Sequence, residues 1–144
     1  MTAIPEQFEH GADVGVRGRG ATLAEAFAGA ATALSSLWAA DAESVRPLLR
    51  ETISCEAADV ERLLVAFLDE LIYAFATRRL VFTDFDVRID AVPGRPVGLV
   101  AKARGERYDP RRHESTVEPK GATYTALSVA REANGFVAQC VVDV

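Results

Sequence analysis

Apolar and polar positions change period several times along the chain, and each change marks an element. Residues Pro5–Glu9 form a short extended run, and Val14 and Val16 share one face of a second run that reaches Arg19. Leu23, Phe27, Ala30, Leu34, Leu37 and Trp38 then recur at helical spacing. Thr22 and Glu25 stand where a capping box needs them, with Glu25 placed to reach back to the Thr22 amide. Residues 39–49 carry charges and Pro47, which predicts a connection, and a strand follows over Glu51–Ala57 with Ile53 and Cys55 pointing one way. Asp59 caps the clearest helix, in which Val60, Leu63, Leu64, Phe67, Leu68, Leu71, Ile72 and Phe75 keep helical spacing and Arg78 and Arg79 suit the negative end of the helix dipole.

From Leu80 the period falls to two, because Phe85, Val87 and Ile89 alternate with Asp84, Asp86, Arg88 and Asp90. Pro93-Gly94-Arg95-Pro96 turns the chain, Val97–Glu106 forms the next strand, and a polar segment covers 107–116. Further strands are expected near Thr123–Ala130 and Phe136–Val142. The order ββαβα followed by about four strands predicts one α+β domain over residues 1–144. Its largely antiparallel or mixed sheet should carry two amphipathic helices on one face.

Composition narrows the chemistry. The 144 residues, 49% apolar, suffice for one substantial core, and the net charge of −5 opposes unaided binding to a nucleic-acid backbone. Cys55 and Cys140 are too far apart in sequence to read as a zinc or redox motif and are expected to be buried strand thiols. With neither a basic-then-apolar leader nor an apolar run of about 18 residues, a soluble cytoplasmic protein without membrane contact is expected.

His10 and Asp13 stand three apart where an alternation begins. They read as two ligands, as a base and its orienter, or as turn-capping residues. Asp143 ends an apolar run, where burial would be unfavourable unless the carboxylate were paired or metal-bound, and antiparallel pairing can bring it near Asp13. Two carboxylates with carbonyls and water suit a hard cation such as Ca²⁺ or Mg²⁺. Arg107, Arg111 and Arg112 form either a basic patch for a phosphate or an acidic partner, or ion pairs with Glu106, Asp109 and Glu114 that hold a loop. His113 has the right chemistry for an acid or base, but no nucleophile lies nearby. Gly15-x-x-Gly18-x-Gly20 lacks the lysine and spacing of a phosphate loop.

Phe8-Glu9-His10-x-Ala12-Asp13-Val14-Gly15, Leu71-Ile72-Tyr73-x-Phe75, Leu80-Val81-Phe82, Gly105-Glu106-x-x-Asp109-x-x-Arg112-His113, Lys120-x-x-Thr123-Tyr124 and Asp143-Val144 together resemble the archease family in order and spacing. The resemblance implies a small α+β helper, not a free-standing catalyst. Its partner would be the GTP-dependent RNA ligase of tRNA splicing and RNA repair, with RNA reached only through that ligase. The helper would promote guanylylation of the ligase and multiple turnovers. A divalent ion, calcium first and magnesium or manganese as alternatives, would be held by Asp13, Asp143 and the main-chain oxygen of Val144, which as the last residue would carry a carboxylate. His10, Arg112, His113 and Lys120 complete the functional candidates, His10 as an orienting or structural neighbour. Gly11, Pro119, Gly121 and Thr125 depart from the family pattern. Two other readings stand beside this one: a metal-dependent hydrolase using His113, and a chaperone-like interaction module.

Overall fold

The computed structural model describes residues 3–144. Strand β1 covers Ile4–His10, β2 Asp13–Gly20, β3 Leu49–Ala57, β4 Leu80–Asp90, β5 Val97–Arg107, β6 Gly121–Ala122, β7 Ser128–Glu132 and β8 Gly135–Asp143; helix α1 covers Leu23–Trp38 and α2 Val60–Arg78. Both helices start where their caps predict. The Thr22 hydroxyl accepts the Glu25 amide at 3.1 Å and the Asp59 carboxylate accepts the Arg62 amide at 2.8 Å. Glu25 reaches back one residue further than a strict capping box, to the Ala21 amide at 2.8 Å.

The α+β class, the antiparallel pairing and the two helices agree with expectation, and the structure adds that the strands divide between two sheets. One runs β1-β2-β8-β6 with β7 also on β8, and the other runs β3-β5-β4. Helix α1 packs on β1, β2 and β8 of the first and on β4 of the second, while α2 packs on β3, β4 and β5 and also touches β6, β7 and β8. The helices therefore fill the space between the sheets, which explains why Ala26, Ala28, Gly29, Ala31 and Ala33 of α1 are buried beside the larger apolar stripe.

Small residues set how closely these layers meet. A β-carbon on Gly18 would lie 2.0 Å from the Ala26 carbonyl oxygen and 2.2 Å from the Ala30 nitrogen, so β2 touches α1 backbone to backbone. Two of the glycines that failed as a phosphate loop, Gly18 and Gly20, thus serve helix packing. On the outer face of the same strand the Phe8 ring lies over Gly15, and the Arg17 guanidinium sits 4.6 Å from that ring's centre.

The run expected as one strand over Thr123–Ala130 is broken. Gly121–Ala122 and Ser128–Glu132 form regular ladders with β8; between them Thr123 and Thr125 both bond to Val141, and the ladder stops where Ala126 takes a left-handed φ of 52°. The two helices end side by side. Trp38 stacks on Phe75 with ring centres 4.8 Å apart, so the C-terminal ends of both helices meet.

Gly18→Val should reduce stability by about 3 kcal/mol, because the overlap is with backbone that cannot swing aside. Urea unfolding of the variant beside Gly98→Ala, a site with open space, provides the check.

Candidate functional site

The candidate residues fall into two groups, joined by the stretch of chain between His113 and Lys120. The first is built by strand register. His10 pairs with Asp13 across the β1–β2 hairpin, whose turn begins at Gly11 with φ 60°, the sign that a type II′ turn needs at its first central position. Val14 pairs with Val142, and one further step of that register sets Asp13 opposite Asp143. Gly121 of β6 pairs with Asp143 from the other side. Cross-strand partners share a face, so His10, Asp13 and Asp143 form a row across three strands, with directly opposed β-carbons roughly 5 Å apart.

The row is held by main-chain bonds. The Val144 amide donates to the Asp13 carboxylate at 3.4 Å and the Lys120 amide donates to the Asp143 carbonyl at 2.7 Å. The side chains of His10, Lys120 and Asp143 are exposed and that of Asp13 is half-buried. Asp143 is therefore not a buried charge, and the argument from desolvation gives way to a different one. Like charges directly opposite on neighbouring strands repel, and among the described residues neither carboxylate has an ion-pair partner.

The donor set fits a hard cation in part. Two opposed carboxylates and main-chain oxygens are the oxygen ligands that calcium prefers, yet calcium takes about 6–8 of them. Among the described residues no group of three or more His, Cys, Asp or Glu side chains is arranged around one point. Any ion here would draw its remaining ligands from water or from a docked partner.

The second group is enclosed. Glu106, 4% exposed, closes β5 and gathers cations. One of its oxygens accepts from the Arg46 guanidinium at 3.2 and 3.1 Å and from Arg112, and the other accepts the Arg46 amide at 2.7 Å and lies 3.1 Å from His113 Nε2. His113, 1% exposed, takes the Asp109 amide on Nδ1 at 2.8 Å, so its ring proton sits on Nε2 and is donated to Glu106. Arg112 also donates to the Ser44 carbonyl at 2.9 Å. Burial opposes ionisation of Glu106, but the Arg46 amide, Arg112, His113 and the Arg46 side chain outweigh it and hold the carboxyl at about 2, below its usual 4.5. Of the two readings of the arginine segment, pairing describes Arg112. Arg107 and Arg111 have no ion pair among the described residues.

One stretch of chain connects the groups. After His113 it crosses the last turn of α1, where the Thr116 amide donates to the Leu37 carbonyl at 3.0 Å, and reaches the cap of α2 through Arg79–Glu118 at 3.1 Å before Lys120 meets Asp143. Tyr108 lies edge-on to Phe75 with ring centres 5.3 Å apart.

Sequence reasoning missed Arg46 and Asp69. Asp69, exposed on α2, accepts the Ala122 amide at 2.8 Å and ties the two-residue β6 to the helix. On a helical wheel it reads as a solvated position. Cys140 is buried and Cys55 half-buried, and burial first, then the charges of Asp69 and Glu70 respectively, push their thiols up to about 12 and about 11, which leaves both protonated.

Because the Glu106 carboxyl is lowered by folding, its contribution to stability is complete above about pH 5 and is lost as pH falls toward 2. That contribution is about 3 kcal/mol. Glu106→Gln should be less stable than wild type by a similar amount at pH 7 and should show a flatter stability profile between pH 5 and 2, measured by urea unfolding.

Comparison with known proteins agrees with this architecture. The model of the Archease protein family matches residues 6–144. A protein archease from Pyrococcus furiosus is 39% identical over 140 residues, covering 96% of this chain and 97% of its own length, and one from Sulfurisphaera tokodaii is 32% identical over 139 residues, covering 96% and 97%. The solution structure of a Methanobacterium thermoautotrophicum protein superposes with a TM-score of 0.82 at 28% identity, covering 97% of this chain and 98% of that one. A Thermotoga maritima structure described as an archease and possible chaperone shares the fold at a TM-score of 0.58 and 16% identity, covering 96% of each chain. With a family match over nearly its whole length, this chain belongs to the archease family.

Proposed function

We propose that this protein is an accessory factor of a GTP-dependent RNA ligase in tRNA splicing and RNA repair. It promotes guanylylation of the ligase and repeated turnover, and it uses a divalent cation, calcium foremost, held by Asp13, Asp143 and the main-chain oxygen of Val144. The observation that carries this reading is the bond of the Val144 amide to the Asp13 carboxylate at 3.4 Å, which brings the two chain ends together where the β2–β8 register, carried one step past Val14–Val142, sets Asp143 alongside; neither carboxylate has an ion-pair partner among the described residues. A cation removes the repulsion between them. Because the chain supplies only part of a coordination shell, the site is open to a partner's groups, which suits a helper that acts on another protein's nucleotide site. The exposed Lys120 ammonium beside it adds a donor for an anionic group. The net charge of −5 favours reaching RNA through the ligase.

The hydrolase reading loses its acid–base group, since both ring nitrogens of His113 are engaged and the ring is enclosed. A chaperone-like role stays compatible with this reading, since a structure of the same fold is described as a possible chaperone and adjacent Leu48 and Leu49 are exposed.

In a single-turnover guanylylation assay, wild type should accelerate the cognate ligase and an Asp13→Ala/Asp143→Ala double variant should not. Calcium at a hundredfold excess over its Kd should stabilise wild type by about 2.7 kcal/mol and leave the double variant unchanged. Equal acceleration by both proteins sinks the proposal.

A further inference from the structure

Arg107, which the buried cluster leaves unpaired, borders a groove of about 550 Å³ between the start of β3 and the end of β5. Its apolar side is formed by Leu48, 64% exposed, Leu49, 43% exposed, and Pro110. Arg46, Arg107 and Arg112 line it as well. Glu106 neutralises one of its two arginine partners and Asp109 sits 3.6 Å from Arg112, while Arg107, and Arg111 beside the groove, keep their charge uncompensated among the described residues. Three lining arginines against two carboxylates, with Arg111 next in sequence to the lining residues Pro110 and Arg112, make this a cationic concavity on a chain whose net charge is −5. Two exposed leucines at the mouth of a strand contribute nothing to the core cluster of this fold.

We infer that this groove docks an acidic, extended segment of a protein partner that also carries an apolar side chain. Guanidiniums present planar, bidentate donors to carboxylates, and the leucine pair offers a seat for an aliphatic or aromatic residue between them. A nucleic acid would want exposed aromatic faces for its bases, and the one ring of the groove, Tyr108, is packed edge-on against Phe75. The groove and the acidic row are joined by residues 107–120, which bond to the end of α1 at Leu37 and to the cap of α2 at Arg79 on the way. The inference rests on the ligase reading in naming that partner: the ligase contributes the acidic segment, the groove supplies affinity and the acidic row supplies activation.

The test uses Leu48→Asp and Arg107→Glu/Arg111→Glu, all exposed and outside the Glu106 cluster, beside Asp143→Asn. Isothermal titration against the intact cognate ligase should show each groove variant binding about tenfold more weakly or worse, a change of about 1.4 kcal/mol or more, with steeper weakening by salt for wild type than for the charge-reversed protein. Saturating groove variant should still accelerate guanylylation to the wild-type maximum, at a higher half-saturating concentration. Asp143→Asn should do the reverse, binding normally and failing to accelerate. Wild-type affinity in both groove variants overturns the docking inference and leaves the ligase reading standing. Loss of binding to a labelled single-stranded RNA, with ligase binding unchanged, assigns the groove to nucleic acid and also overturns it. No binding of wild type to the ligase removes both.

Discussion

The antiparallel pairing of β2 with β8 is the constraint on which the rest depends. It joins residues from opposite ends of the sequence, Val14 to Val142 and Gly20 to Phe136, along a register fixed by what each strand must bury. Val16, Cys140, Ala138 and Val142 all face the core, and Gly18 must meet α1 where a side chain would strike backbone. A slip of one residue would turn that set outward and drive Arg17 into the helix. The same register has no freedom left at its end, so Asp13 and Asp143 are forced into opposition by the packing of residues several positions away.

A second constraint acts on the adjoining loop. Residues 107–120 have little apolar content with which to hold themselves down, and the buried Glu106 replaces it with charge-assisted hydrogen bonds to Arg46, Arg112 and His113. The cluster fastens the loop to the segment ahead of β3, while separate main-chain bonds from Tyr108 to Arg79 and from Thr116 to Leu37 tie it to the helix ends. The result is a division of charge: carboxylates gather at the strand ends, while arginines not consumed by Glu106 remain on the neighbouring groove.

Much of this was legible in the chain. Helical spacing in Leu63–Phe75, the caps at Thr22 and Asp59 and the alternation after Leu80 are local signals, and local chemistry decides them. Asp13, Asp143, Arg112 and His113 stood out by type and position. Less visible were Arg46 and Asp69, whose partners are 60 and 53 residues away, and the break after Ala122, where a ladder that composition alone favours gives way to bonds with Val141 and a left-handed alanine.

Sequence by itself determined most of the elements, their class and the presence of carboxylates near both chain ends, because periodicity, caps and side-chain chemistry act over a few residues. Only the tertiary structure decided that the strands part into two sheets around the helices, that His113 is locked against Glu106 instead of facing a substrate, and that two distant aspartates stand opposite each other. Those outcomes depend on register and layer packing between segments far apart in the chain, and no short window of sequence carries that information.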